Sequence, residues 1–132
     1  MNKLTGIISQ IQQAGAILLV DVDVNGQVFS ALLIESALNP HWMQKGKAVE
    51  LVFKETEVTL AKNRNGLISL RNRMDCEVLE VERGELLSKV SLKFQQHILV
   101  SAITTRAVDS LKIKAGDAIE ALVKSNEISL MC

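Results

Sequence analysis

Three short segments of the sequence carry the hydroxyl, guanidinium and ammonium groups that proteins use to bind anions. Ser69 and Arg71 are separated by one residue, and side chains at that spacing in an extended segment point to the same side. Thr104 adds a second hydroxyl, and Lys124 is followed directly by the hydroxyl of Ser125. The sequence therefore contains a set of donors that could act on one ligand if the fold brings the segments together.

The chemistry of this donor set favours a particular class of ligand. All of these groups can donate hydrogen bonds, and none of them needs a hydrogen-bond donor on the ligand. A tetrahedral dianion such as molybdate, tungstate or sulfate presents only acceptor oxygens, whereas hydrogen phosphate carries a proton that would face a donor. An exposed Arg or Lys is more often simply solvated, and a Ser in a turn more often serves the turn. The pattern suggests an oxyanion site, and the remaining sequence must support it.

Charge and composition argue against several other functions. Lys and Arg number 15 and Asp and Glu number 15, whereas proteins that bind nucleic acid through its phosphates usually have a basic excess. The chain has no Tyr, one Trp and three Phe, which leaves few aromatic rings for stacking on bases. No catalytic triad, carboxylate pair, Gly-rich phosphate loop or cluster of metal ligands is visible. We therefore expect neither an enzyme nor direct protein ligands to a metal.

The cysteines and the apolar segments indicate the compartment. Cys76 and Cys132 are not arranged as C-x-x-C, and we expect both to be reduced. No apolar run approaches the roughly 18 residues that a membrane span needs. Residues 1–8 lack the apolar core of a signal peptide. We expect a cytoplasmic protein with no membrane partner.

The sequence repeats itself at a constant spacing, which we call the repeat offset and define by the step from Asn2 to Asn72. The same step matches identical residues along most of the chain: Gly46 with Gly116, Ala48 with Ala118, Glu50 with Glu120, Lys54 with Lys124, Glu57 with Glu127, and Leu60 with Leu130. One offset kept over such a span indicates an internal duplication. We predict a first module over residues 1–62, a connector over residues 63–68 and a second module over residues 69–132.

Each repeat is patterned as short strands. Residues 20–24 alternate apolar and polar side chains, and Asn25-Gly26 is a strong hairpin signal before a returning strand over residues 27–34. Two further strands are expected at residues 48–53 and 58–61, joined by a tight hairpin-like turn, and the same turn is expected around Lys124.

The connections at residues 35–43 and 105–113 are each expected to carry one or two helical turns. About five short strands and one short helix per module are typical of an OB-like barrel. The predicted fold is therefore all-β, with two OB-like five-stranded β-barrel modules in tandem. Modules this small are marginal alone, so we expect burial against the twin or against other chains.

With this duplication, the sequence resembles the molybdate/tungstate-binding Mop (TOBE) family in its tandem form, over almost the whole chain. Residues 69–73, Ser-Leu-Arg-Asn-Arg, resemble the family's S-A-R-N opening, and residues 101–108 resemble its S-x-I-T-x-x-A-V segment. Residues 111–117 resemble L-x-L-x-x-G-D. The last motif, K-A-[ST]-x-V, is resembled by residues 124–127 and again by residues 54–58 in the first module.

The resemblance implies intracellular binding of molybdate or tungstate for storage, homeostasis or sensing, with no organic cofactor. It also implies anion sites between modules and a homo-oligomer, with a trimer favoured over a dimer. In that case Arg71 and Lys124 would neutralise the dianion and the others would donate hydrogen bonds. By matching positions, the residues implied to bind the oxyanion are Ser69, Arg71, Asn72, Thr104, Lys124 and Ser125.

The first module departs from this pattern. Met1 stands at the position where the family's S-x-R opening should already have passed, and Ile34 lies opposite Thr104. Lys54 and Thr56 remain candidates for a second, different site. The alternatives left open are an OB-like nucleic-acid-binding module and the ligand-sensing domain cut from a molybdate-responsive transcription regulator.

Overall fold

The computed structural model describes residues 1–34 and 41–132, and their secondary structure is almost entirely β. One α-helix, α1, spans Thr105–Leu111, and two 3-10 turns span Glu55–Glu57 and Ser125–Glu127. The strands are β1 Asn2–Ala14, β2 Ile17–Val24, β3 Gln27–Ile34, β4 Ala48–Phe53, β5 Thr59–Ala61, β6 Asn72–Glu82, β7 Leu87–Phe94, β8 His97–Thr104, β9 Ala118–Val123 and β10 Ser129–Met131. Each strand from β6 to β10 begins one repeat offset after its counterpart in the first half, so the duplication is structural as well as sequential.

The predicted all-β fold is confirmed. Of the two connections that were expected to carry helical turns, only the second lies fully within the described residues. The expected helical turns after β8 are present as α1. Those expected at residues 35–43 fall mainly on residues 35–40, which lie outside the described residues, and His41 and Trp42 form a turn.

The strands form two five-stranded sheets that exchange their last strands. The first sheet has the order β10-β4-β1-β2-β3 and the second has the order β5-β9-β6-β7-β8, with all pairs antiparallel. The expectation that β4 and β5 pair across a tight turn, and β9 and β10 likewise, is therefore wrong. Thr59 lies opposite Leu122 and Ser129 lies opposite Val52, because each short strand continues past its own sheet and pairs with the other half.

Because of the exchange, each sheet contains one strand from the other predicted module, so the predicted boundaries do not separate the two sheets. The end of the first module and the connector are both held against the second half. Lys62 Nζ lies 3.0 Å from Asp117 Oδ2 and 2.9 Å from the Lys112 carbonyl oxygen. Arg64 Nε lies 2.6 Å from Glu120 Oε1. The boundaries at residues 62 and 69 stay a prediction.

The buried side chains follow the period-2 alternation of the strands. In β2, for example, Leu18, Val20, Val22 and Val24 are buried and the residues between them are not. Each such apolar side chain contributes about 1.5–3 kcal/mol when fully buried. Phe29 and Phe94 meet edge to face with ring centroids 5.9 Å apart, which joins the two halves through aromatic packing.

Two asparagines bind the halves together at equivalent places. The Asn72 side chain accepts from Ser30 N at 2.8 Å and donates to Ser30 O at 2.9 Å. The Asn2 side chain makes the same pair of bonds with Val100, both at 2.8 Å. Because β3 and β8 are edge strands, their outward peptide groups lack a neighbouring strand, and a carboxamide offers one donor and one acceptor to replace it.

Candidate functional site

One pocket contains four of the six residues implied to bind an oxyanion. The Arg71 pocket, as we call it, has a volume of about 530 Å³. Its lining residues are Leu32, Ser69, Leu70, Arg71, Lys124, Ser125 and Asn126. The structure thus brings the Ser-x-Arg segment before β6 next to the Lys-Ser turn after β9, although β6, β7, β8, α1 and β9 all lie between them in the chain.

The strand exchange creates this pocket. The 3-10 turn Ser125–Glu127 links β9 of the second sheet to β10 of the first sheet, and Glu127 N donates to Lys124 O at 2.9 Å to close it. The turn therefore packs on β3, which supplies Leu32. Leu32 was missed by the sequence reasoning because it belongs to the other half, and no local signal marks it. Asn126 was adjacent to the motif and was also missed.

The charges in the pocket are positive, and no described residue of the pocket brings a negative charge to oppose them. Arg71 and Lys124 are exposed, and neither forms an ion pair with any residue in the ranges 1–34 and 41–132. No carboxylate is present among the lining residues that are described. Two cations that no described carboxylate pairs with, next to two hydroxyls, can bind a dianion through its acceptor oxygens.

Two other arginines, Arg64 and Arg83, are already paired with carboxylates and offer a contrast. The hydrogen bond from Arg64 holds the pKa of the Glu120 carboxyl below its usual value, and that from Arg83 does the same for Asp109. Arg83 Nη1 lies 2.7 Å from Asp109 Oδ1. These guanidinium groups are matched by carboxylates, so they are less available to a ligand than Arg71.

Asn72 and Thr104 lie outside the Arg71 pocket. Asn72 is 1% exposed, and its amide is used on the backbone of Ser30. The Thr104 hydroxyl oxygen caps α1 by accepting from Ala107 N at 3.1 Å. Thr104 lines a different depression of about 590 Å³, together with Arg83, Glu85, Leu86, Thr105, Arg106 and Asp109.

The residues proposed for a second site are in the first-half counterpart of the Lys-Ser turn. Lys54 and Thr56 are both exposed, and Glu55 lies between them in the 3-10 turn Glu55–Glu57. Glu57 Oε1 accepts a hydrogen bond from Lys54 N at 2.9 Å. Of the two carboxylates beside Lys54, Glu57 has its counterpart in Glu127 of the second-half turn, whereas Glu55 stands where the second half has Ser125.

The described residues offer no obvious metal centre. Within residues 1–34 and 41–132, no group of three or more His, Cys, Asp and Glu side chains is placed to hold a metal ion. Burial raises the pKa of the Cys76 thiol to about 12, so this group is a weak metal ligand at neutral pH. In the same part of the chain, no helix is both long enough and apolar enough to cross a membrane.

The sequence of this chain is similar to that of a known domain family and of two known proteins. A model of the TOBE domain family matches residues 68–130. The molybdenum import ATP-binding protein ModC of Brucella abortus is 30% identical over 123 residues, which are 92% of this chain and 32% of ModC. The molybdenum transport protein ModE of Herbaspirillum seropedicae is 28% identical over 127 residues, 94% of this chain and 47% of ModE. The chain thus spans about a third of ModC and about half of ModE.

Solved structures are similar over one or both halves. The cytoplasmic molybdate-binding protein ModG, in a crystal form with molybdate bound, has a TM-score of 0.92 at 25% identity. The match covers 98% of this chain and 94% of ModG. A molybdate-binding protein from Sporomusa ovata is 33% identical with a TM-score of 0.50, over 51% of this chain and 100% of that protein.

Proposed function

This chain belongs to the TOBE domain family, with two modules in tandem, and we propose that it binds molybdate or tungstate in the Arg71 pocket. The observation that carries the proposal is that one pocket contains two cations, Arg71 and Lys124, together with two hydroxyls, and that neither cation forms an ion pair with a described residue. ModG and the Sporomusa ovata protein are molybdate-binding proteins, and ModC and ModE are named for molybdenum import and transport. These names support the choice of oxyanion.

Each side chain of the pocket has a defined task in this proposal. The Arg71 guanidinium offers a planar fork of N–H donors to two oxygens of the anion, and the Lys124 ammonium adds a second positive charge. The hydroxyls of Ser69 and Ser125 donate to further oxygens. Leu32 and Leu70 give the pocket an apolar lining beside these groups. Two positive charges balance the two negative charges of the dianion.

We assign the protein a binding role in the cytoplasm and no catalytic one. Reversible capture of the oxyanion suits storage, homeostasis or sensing. The regulator alternative named in the sequence analysis uses the same site chemistry, and ModE, the similar transport protein, is about twice as long as this chain.

We further propose that the protein is a homo-oligomer, with a trimer favoured over a dimer. Several apolar side chains on the strands and their connections are exposed, among them Ile34 at 78% and Leu86 at 82%. Contact with neighbouring chains would cover these side chains and add to the small core of each module. Native mass spectrometry with and without molybdate would count subunits and anions together. A stable monomer at micromolar concentration with the anion present would contradict this part of the proposal.

Thr104 is assigned to a separate contact. Its oxygen already accepts from Ala107 N, but its O–H remains able to donate, and Arg106 lines the same depression. Because the same depression also contains the Glu85 and Asp109 carboxylates, we propose Thr104 as an oxyanion contact only where a neighbouring chain supplies further donors. Asn72 is not needed as a direct ligand in this arrangement.

The proposal is tested by removing one pocket cation at a time. Arg71→Ala and Lys124→Ala should each weaken molybdate binding by roughly ten- to a hundredfold, because losing one charge-assisted partner costs about 1.5–3 kcal/mol. Isothermal titration calorimetry gives the affinities. Lys93→Ala removes an exposed cation outside the pocket and is the matched control, which should bind as the wild type does. Unchanged affinity in both pocket variants would refute the proposed site.

Selectivity provides an independent check. Since a pocket of about 530 Å³ leaves room for the longer metal–oxygen bonds of molybdate and tungstate, these anions should bind at least tenfold more tightly than sulfate, a difference of about 1.4 kcal/mol. Competition titrations of molybdate-loaded protein with sulfate measure this directly. Equal affinity for sulfate would contradict the assignment.

A further inference from the structure

The two halves of the molecule place different residues at equivalent turns. At the repeat offset, Glu55 occupies the position of Ser125 and Met1 occupies the position of Arg71. The turn Glu55–Glu57 packs on β8 just as Ser125–Glu127 packs on β3. The first half therefore has the same framework as the Arg71 pocket, with a carboxylate in place of a hydroxyl and a thioether in place of a guanidinium.

Glu55 is held at this position by cations of the protein itself. Its Oε1 lies 3.4 Å from Lys89 Nζ, and its Oε2 lies 4.0 Å from the amino group of Met1. The Glu55 side chain is 28% exposed, so it is partly sheltered from solvent. The carboxylate thus supplies the negative charge that an oxyanion would otherwise bring to Lys89 and its surroundings.

We infer that Glu55 is the specificity-determining residue that keeps oxyanions away from the first-half turn, so that the chain has one strong site of the Arg71 type and not two. The inference rests on the proposed function of the Arg71 pocket. A dianion bound at this turn would lie next to the Glu55 carboxylate. Two neighbouring negative charges repel strongly in a partly sheltered site. Its oxygens would also lose the hydroxyl donor that Ser125 provides in the second half. Lys54 and Thr56 alone do not offset this repulsion.

Removing the carboxylate should open the first-half turn. In Glu55→Ser, native mass spectrometry and calorimetry with molybdate should show one more anion bound per chain than in the wild type, with weaker affinity because Met1 replaces the arginine. Adding Lys54→Ala to that variant should remove the gain. Glu80→Ser changes the net charge identically at an exposed position away from the turn, and it should add no anion.

The reciprocal change should close the Arg71 pocket. Ser125→Glu should weaken molybdate binding at least tenfold, whereas Ser110→Glu, with the same charge change on the exposed side of α1, should leave the affinity within a factor of two or so. Circular dichroism melting curves verify that each variant is folded, and the presence of Ser and Glu at these equivalent turns indicates that the framework accepts both.

The outcomes separate this inference from the proposed function. If wild-type protein binds no molybdate, or if Arg71→Ala binds it normally, the proposed function is wrong and the inference falls with it. If the Arg71 pocket binds as proposed but Glu55→Ser adds no anion, Glu55 does not determine specificity. The inference is equally overturned if Lys54→Ala lowers the number of anions bound by the wild type.

Discussion

Replacing Asn72 with alanine tests whether this side chain holds the fold together or binds the ligand. In the structure the Asn72 carboxamide makes two hydrogen bonds with the backbone of Ser30, at 2.8 and 2.9 Å, and the side chain is 1% exposed. Asn72→Ala removes both partners at once. The outward N–H and C=O of Ser30 then face the other half of the molecule with no strand beside them.

The expected loss follows from these two bonds. Each contributes about 0.5–1.5 kcal/mol net, and a buried partner left unsatisfied costs about 1–3 kcal/mol more. Ser30 is half-buried, so water recovers part of that penalty. We therefore expect the free energy of unfolding to fall by about 2–4 kcal/mol. Urea unfolding followed by circular dichroism, at a fixed protein concentration and without anion, measures this difference.

Asn2→Ala is the matched control for this experiment. Asn2 makes the equivalent pair of bonds with Val100, both at 2.8 Å, and it is 4% exposed. In its half Met1 stands at the position of Arg71, so Asn2 has no implied part in ligand binding. The two variants should lose similar amounts of stability, and both should retain molybdate affinity within a few-fold. If Asn72→Ala alone weakens molybdate binding tenfold or more while its stability is unchanged, Asn72 is a ligand and the edge-strand reasoning is refuted.

Two further predictions concern groups away from the pocket. Because burial raises the pKa of Cys76 to about 12 and the thiolate is the reactive form, Ellman's reagent at pH 8 should titrate one thiol per folded chain, Cys132, and two after denaturation; two fast thiols in the folded protein would contradict this burial. The folded-state pKa of Glu120 is lowered by the hydrogen bond from Arg64, so the stability it contributes is present above about pH 5 and is lost as the pH falls through the lowered value. In Arg64→Met, the decline in the urea midpoint between about pH 5 and 3 should be shallower than in the wild type, and an identical decline would rule out this linkage.

Much of the fold was predictable because its signals are local. The alternation of residues 20–24 and the Asn25-Gly26 turn predict a hairpin without reference to distant residues, and β2 and β3 form it. The repeat offset then transfers each assignment to the other half. By contrast, a very short strand such as β5 has the same local pattern whether it returns to its own sheet or crosses to another. The exchange of β5 and β10 depends on how the two halves pack, and no local pattern carries that information.

The candidate site was predictable to the extent that its residues are contiguous. Ser69 and Arg71 share one extended segment, and Lys124 and Ser125 share one turn, so their grouping in pairs follows from the sequence. That the two pairs meet next to Leu32 does not follow from the sequence, because it depends on β10 joining the first sheet. For Asn72 a signal was available. The first half keeps an asparagine at the equivalent position although Met1 stands in place of Arg71, which favours a structural role common to both halves.

The strand exchange makes the Arg71 pocket a property of the whole chain. Its basic residues come from the second half, but Leu32 belongs to β3 and the position of the Lys124 turn depends on β10 pairing with β4. Residues 69–132 alone would leave β9 without β5 at one edge, and their β10 would have no strand to join. The duplication therefore does more than double a module: each half supplies the strand that completes the other. The framework is common to both halves, whereas the residues at the equivalent turns differ, with Glu55 in the first half and Ser125 in the second.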